Sequence, residues 1–240
     1  MRSMHNARMR RLITGALVSA IVTVAAGVSF AQATHPISGR TIASVMGHEG
    51  ARWLERPERE SEEAPTKAVA ALTLRPGQVV ADIGAGSGYY TMLLSAAVGP
   101  GGRVYATDIQ PEMLALIRKK VEDGRVSNVE LVLGSATESR LPDAAIDLAL
   151  MVDVYHELAQ PQAFLRSLKR ALKPDGRLVL IEFRKESAWV PIRPEHKMSV
   201  RDARMELEAE GYRFDRVIDV LPWQHILVFG PGGERRAKEQ

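Results

Sequence analysis

Asp82 stands two residues before the first of three glycines, Gly84, Gly86 and Gly88, and Asp108 follows 20 residues after the last of them. Glycines so spaced let a backbone turn with positive φ and pass close to a ligand, and a helix behind them offers free N–H groups. The third glycine of the dinucleotide fingerprint G-x-G-x-x-G would fall on Tyr89. A pyrophosphate gains nothing from a carboxylate at Asp82, whereas an ammonium or sulfonium does. Asp108 is placed to accept two ribose hydroxyls. A nucleoside without phosphates, carrying a cationic amino-acid tail, suits these groups better than a nicotinamide dinucleotide.

A second set of reactive side chains is spread along the chain: Asp153, Tyr155, His156 and Glu157, then Glu182 and Phe183, then Trp223, Gln224 and His225. His156 is the first choice for a catalytic base or acceptor-orienting group, followed by Tyr155, Glu182 and His225. A histidine in such a place can equally be a hydrogen-bonded loop residue. His156, His196 and His225 include no close pair at helical spacing, so no metal site is expected.

These residues need a scaffold that brings them together, and the hydropathy pattern supplies one. Strands are expected at 79–83, 103–109, 129–134, 146–152, 177–183, 214–220 and 224–229, with helices at 90–98, 111–122, around 164–172 and 200–210. Residues 173–176 read as the turn that stops the third of these helices. The alternation implies an α/β fold, a doubly wound, mostly parallel seven-stranded sheet with an antiparallel C-terminal strand. Ligands bind such sheets beyond the carboxyl ends of the strands, where the strand order reverses.

Val79 to Thr91 (VVADIGAGSGYYT), Val104 to Leu114 (VYATDIQPEML), Gly134-Ser135-Ala136 and Leu172 to Phe183 (LKPDGRLVLIEF) resemble successive motifs of class I S-adenosylmethionine-dependent methyltransferases, a Rossmann-like fold. The resemblance runs over about residues 64–230. It implies S-adenosyl-L-methionine as cofactor, with Asp82, Gly84, Gly86 and Gly88 shaping the methionine end of its site. It further implies that Asp108 holds the ribose, that Ile109, Gln110, Ser135 and Ala136 surround the adenine, and that Asp153 completes the set. Related sequences often carry Asp in the place of Ser135, a stronger acceptor for the adenine amino group. Arsenite methyltransferases, also similar in their core, hold arsenic with thiols, and this chain has no cysteine.

The remaining 1–33 stretch has a different character. Arg2, Arg8, Arg10 and Arg11 are followed by an uncharged run from Leu12 to Ala31 with small residues at Ser29, Ala31 and Ala33. That is the plan of a signal peptide cleaved after Ala31 or Ala33, with an uncleaved membrane anchor or a twin-arginine signal as alternatives. The whole chain carries a net charge of +3, yet without the four leader arginines it has 28 basic and 29 acidic residues. The basic balance therefore belongs to the leader, and no nucleic-acid partner is expected. The expected organisation is a leader at 1–33, a lid or outer packing segment at 34–63, a methyltransferase domain at 64–230 and a polar tail at 231–240. The expected activity is methyl transfer to a small-molecule or lipid-like acceptor in an exported, periplasmic location, without a membrane span after cleavage. A non-catalytic binding protein that kept the pocket is the main alternative, and a nicotinamide-dependent oxidoreductase a weaker one.

Overall fold

Successive residues of the first strand, β1 (Val79–Ile83), are buried on opposite faces, as an apolar run covered on both sides should be. The computed structural model describes residues 33–232 and places β1 inside an eight-stranded sheet. On one side lie β2 (Arg103–Asp108) and then β3 (Val129–Leu133); on the other lie β4 (Ile146–Val152) and then β5 (Leu172–Arg184), all parallel. The short β6 (Lys197–Met198) pairs with the end of β5. Beyond β5 the order continues with β8 (Gln224–Gly230), antiparallel to both neighbours, and then β7 (Arg213–Ile218).

The sequence pattern predicts seven strands, and the eighth is β6, which at two residues is too short to show a hydropathy period. The stretch 173–176 also departs from expectation, lying within β5 rather than in a turn before it. Leu172 pairs with Ile146 and Arg177 with Leu148, so the residues between them bulge out of the ladder. A Cβ on Gly176 would approach the Ile146 carbonyl oxygen to 2.8 Å, so a glycine is needed for the strand to pass.

Helices cover both faces. Leu148 and Leu150 pack with α3 (Pro65–Ala71) and α4 (Tyr89–Val98), while Ala149 and Met151 pack with α6 (Pro161–Ala171) and α7 (Val200–Ala209). α5 (Pro111–Asp123) closes over β2 through Leu114 and Ile117 against Ala106. α3, α5 and α6 each begin with proline, where its missing N–H costs nothing, and Ser199 Oγ caps α7 by accepting the Asp202 amide at 2.9 Å. Two short helices, α1 (Ala51–Leu54) and α2 (Arg59–Glu62), precede the sheet.

Strand order reverses between β1 and β4, so a crevice opens at their carboxyl ends. Among the described residues no helix is long and apolar enough to cross a membrane. The expected leader and most of the polar tail lie outside the described residues.

Candidate active site

The crevice widens into a cavity of about 560 Å³, within the range of small-molecule sites. Its first wall is made by the turn between β1 and α4. Gly84, Gly86 and Gly88 have φ of 65°, 54° and 81°, the left-handed region that side chains resist. The Gly86 amide donates to Asp108 Oδ2 and the Gln110 amide to Oδ1, each at 2.9 Å. Asp108 is thereby fixed at the cavity wall. Burial raises its pKa, and these two backbone N–H groups oppose the shift.

The segment before the sheet forms the cover. Val45, Met46, Trp53 and Leu54 line the cavity, and Gln110 clasps the cover from below. Its Oε1 accepts the His48 amide and its Nε2 donates to the Met46 carbonyl, both at 2.9 Å. Glu55 accepts from Ser87 Oγ in the glycine turn and from Lys120 of α5. Arg59, on the wall, pairs with buried Glu63 at 2.8 Å and lies over the rings of Tyr89 and Tyr90. The local sequence offers Arg59 its i,i+4 partner Glu63 but not the tyrosine rings, which it meets only where α2 packs on α4.

The opposite wall is formed by the chain leaving β4. Asp153 there has φ of 53°, a strained value for a side chain. Its Oδ2 accepts from Gln224 Nε2 at 2.7 Å, while Oδ1 is buried with no hydrogen-bond partner among the described residues. Burial, together with the carboxylates of Glu63 and Glu182, pushes the Asp153 pKa well above its ordinary value. Such an unmatched acceptor on a cavity wall suits a cationic or hydrogen-donating ligand.

His156 also reaches this wall and is almost fully buried. Its Nδ1 lies 2.6 Å from Glu182 Oε2, and Glu182 Oε1 accepts the Tyr155 amide at 2.9 Å. A carboxylate accepts only, so Nδ1 donates to it, and Nε2 is turned away toward the cavity wall. That nitrogen stands 3.1 Å from His196 Nδ1. Glu157 lies beside both rings, its pKa pushed up to about 7 chiefly by burial. Burial and His156 lower the pKa of His196. Behind this wall Arg40 donates to the His156 carbonyl at 3.1 Å and pairs with Glu206 of α7, which is fully buried.

Of the residues expected from sequence, Gly84, Gly86, Asp108, Ile109, Gln110, Ser135, Ala136, Asp153 and His156 line the cavity. Asp82 and Gly88 do not: the Asp82 carboxylate accepts from Thr91 at 2.6 Å, and burial raises its pKa to about 6. A Cβ on Gly88 would meet Ile117 at 2.9 Å, so Gly88 admits α5 rather than ligand. Ser135 Oγ accepts the Glu138 amide at 3.0 Å and so is committed to its own turn.

Three catalytic candidates are placed differently from the expectation. The Tyr155 side chain turns away into the core beneath Arg40, its hydroxyl beside Glu206 but outside hydrogen-bond geometry. His225 is buried opposite Glu182 in the β5–β8 ladder, with Nε2 unpartnered among the described residues and its pKa lowered by burial. Glu182, fully buried, holds His156 without reaching the cavity. Residue type at a strand end does not reveal which face a side chain takes once the chain leaves the strand.

A methyltransferase domain family model matches residues 81–180. The ubiquinone/menaquinone biosynthesis C-methyltransferase UbiE of Vibrio vulnificus (strain YJ016) is 40% identical over 112 residues, 46% of this chain and 43% of the relative. The chain thus spans less than half the length of the curated relatives it matches. The solved structure of a SAM-dependent methyltransferase from Aquifex aeolicus is 32% identical, with a TM-score of 0.73 over 77% of this chain and 98% of the other. A TehB-like SAM-dependent methyltransferase from Corynebacterium glutamicum, at 19% identity and a TM-score of 0.57 over 76% and 97% of the two chains, shares the fold. Likeness to the Aquifex protein at 32% identity over nearly its whole length shows that this chain belongs to the S-adenosylmethionine-dependent methyltransferases.

Proposed function

We propose that the protein transfers a methyl group from S-adenosylmethionine to a small-molecule or lipid-like acceptor with an apolar body. The observation that carries this reading is that one cavity is shared by the Gly86–Asp108 wall and the His156 wall. Asp108, held by two backbone amides, and Asp153, whose Oδ1 is unmatched and whose ionised form a nearby cation would favour, fit a ligand with hydroxyls and a cationic centre, and Arg59 fits its carboxylate. When bound, S-adenosylmethionine supplies a methyl group made electrophilic by its sulfonium.

The chain's own tasks are to hold, align and keep dry. Asp108 binds the ribose hydroxyls, and the trapped orientation of its carboxylate spares reorganisation on binding. Trp53 and Leu54 exclude water from above. Phe183, Pro191 and Ile192 offer the acceptor an apolar seat, and Lys197 steadies that loop by donating to the Val190 carbonyl at 2.6 Å. His156 orients the acceptor through Nε2 and takes its proton where the acceptor must lose one, with Glu182 stabilising the positive ring.

Label from methyl-tritiated S-adenosylmethionine should appear in an organic-extractable product when phenolic, quinol and lipid acceptors are offered. His156→Ala should lower kcat with little change in the affinity for the methyl donor. Tight donor binding with no transfer to any acceptor would leave a binding protein instead.

We also propose export, supported by the charge pattern of residues 1–33 and the small residues at Ser29, Ala31 and Ala33. N-terminal sequencing of the periplasmic fraction should find Gln32 or Thr34 first. An intact chain confined to the cytoplasm would sink the idea.

A further inference from the structure

His156, Glu157 and His196 bring three potential ligand atoms to one point of the cavity wall, from the turn after β4 and from a 3-10 turn at Pro194–His196. His156 Nε2 is 3.1 Å from His196 Nδ1, and Glu157 Oε1 is 3.9 Å from each. A triangle with these sides has a centre about 2.1 Å from every corner, the bond length of a divalent transition metal to nitrogen or carboxylate oxygen. From this geometry we infer that His156, His196 and Glu157 form a binding site for a first-row divalent transition metal, with Zn2+ the best match.

Three further observations converge on it. Glu182 engages His156 Nδ1 at 2.6 Å, the outer carboxylate contact that orients a metal-binding imidazole and makes it more basic. Glu182 is fixed in turn by the Tyr155 amide, and the His156 backbone by Arg40 and by the Ala43 amide at 3.0 Å. All three ligand residues line the cavity, so an ion held there keeps open positions facing the proposed acceptor seat. Two imidazoles and one carboxylate select zinc, iron or cobalt over magnesium and calcium, which take oxygen ligands. An acceptor bearing an oxygen atom would complete the coordination and be aligned by it. With the ion bound, both histidine nitrogens act as ligands, so acceptor alignment passes from His156 to the metal.

The alignment role rests on the methyl-transfer reading, but the site itself does not. The probe is Co2+ alone, titrated into the metal-free full chain and read by visible absorption and calorimetry. One equivalent should bind with the strong d–d bands of a low-coordinate ion. His196→Ala, altering a partly exposed side chain, should weaken binding by on the order of 100-fold, Glu157→Gln by a similar factor, and Glu182→Gln by about 10- to 100-fold through His156. His225→Asn, outside the triangle, should bind as the wild type. No saturable uptake at millimolar Co2+, or uptake unchanged in His196→Ala, would overturn the proposal and leave the three residues a hydrogen-bonded cluster. Uptake by a chain that transfers no methyl group supports the site while sinking the methyl-transfer reading.

Discussion

The two walls of the cavity are built by opposite means. The wall proposed for the donor's ribose, at the ends of β1 and β2, is made of backbone: glycines in left-handed turns and amides that fix one carboxylate, within residues 84–110. The wall proposed for the acceptor is made of side chains paired across long separations: His156 with Glu182 and His196, backed by Arg40 with Glu206. A wall of local backbone geometry serves a ligand common to a whole family, whereas a wall of distant pairs can be rebuilt for a new acceptor without touching the first.

Substitutions on each side should therefore separate in their effects. Arg40→Met strips buried Glu206 of its guanidinium, leaving it Ser38 and His35, and should cost about 3 kcal/mol in denaturant unfolding. It should disturb acceptor turnover more than donor affinity; the reverse order would break the comparison. Asp108→Ala removes the charge-assisted contacts expected with the ribose and should weaken donor binding by on the order of 100-fold in calorimetry, with about 1–3 kcal/mol of stability lost at the orphaned Gly86 and Gln110 amides. An affinity within a few-fold of wild type would take Asp108 out of the donor wall.

Asp82 gives a test with a pH sign. Its folded pKa of about 6 lies above the usual 3.8, so the stability contributed by its neutral form is complete below 3.8 and is lost as pH rises through 6. Asp82→Asn should then stabilise the free protein at pH 8 by up to about 3 kcal/mol and hardly at all at pH 4. An equal change at both pH values would mean that Asp82 is not held against its charge. Tyr155→Phe should have the smallest effect, costing no more than about 1 kcal/mol and leaving turnover intact. A large loss of turnover would restore Tyr155 to the acceptor site.

The same contrast explains how much was legible in the sequence. The strands of the sheet read well because parallel strands are continuous apolar runs, and the donor motif because its glycines and Asp108 lie in one short stretch. β6 was hidden by its length and the β5 bulge by a proline and glycine that resemble a helix stop. Arg40 and Glu206 carry no local signal, since each acquires its meaning from a partner on another element. Tyr155, His156 and Glu157 are adjacent in sequence, yet two face the cavity and one the core, which the break after β4 decides.

The division of labour between the walls is tested most directly by calorimetric titration of S-adenosylhomocysteine, the product of methyl donation, into wild type, Asp108→Ala and Tyr155→Phe. One site per chain should appear in wild type and in Tyr155→Phe, with the affinity weaker by on the order of 100-fold in Asp108→Ala. Absence of binding to wild type, or a preference for NADH, would contradict the account.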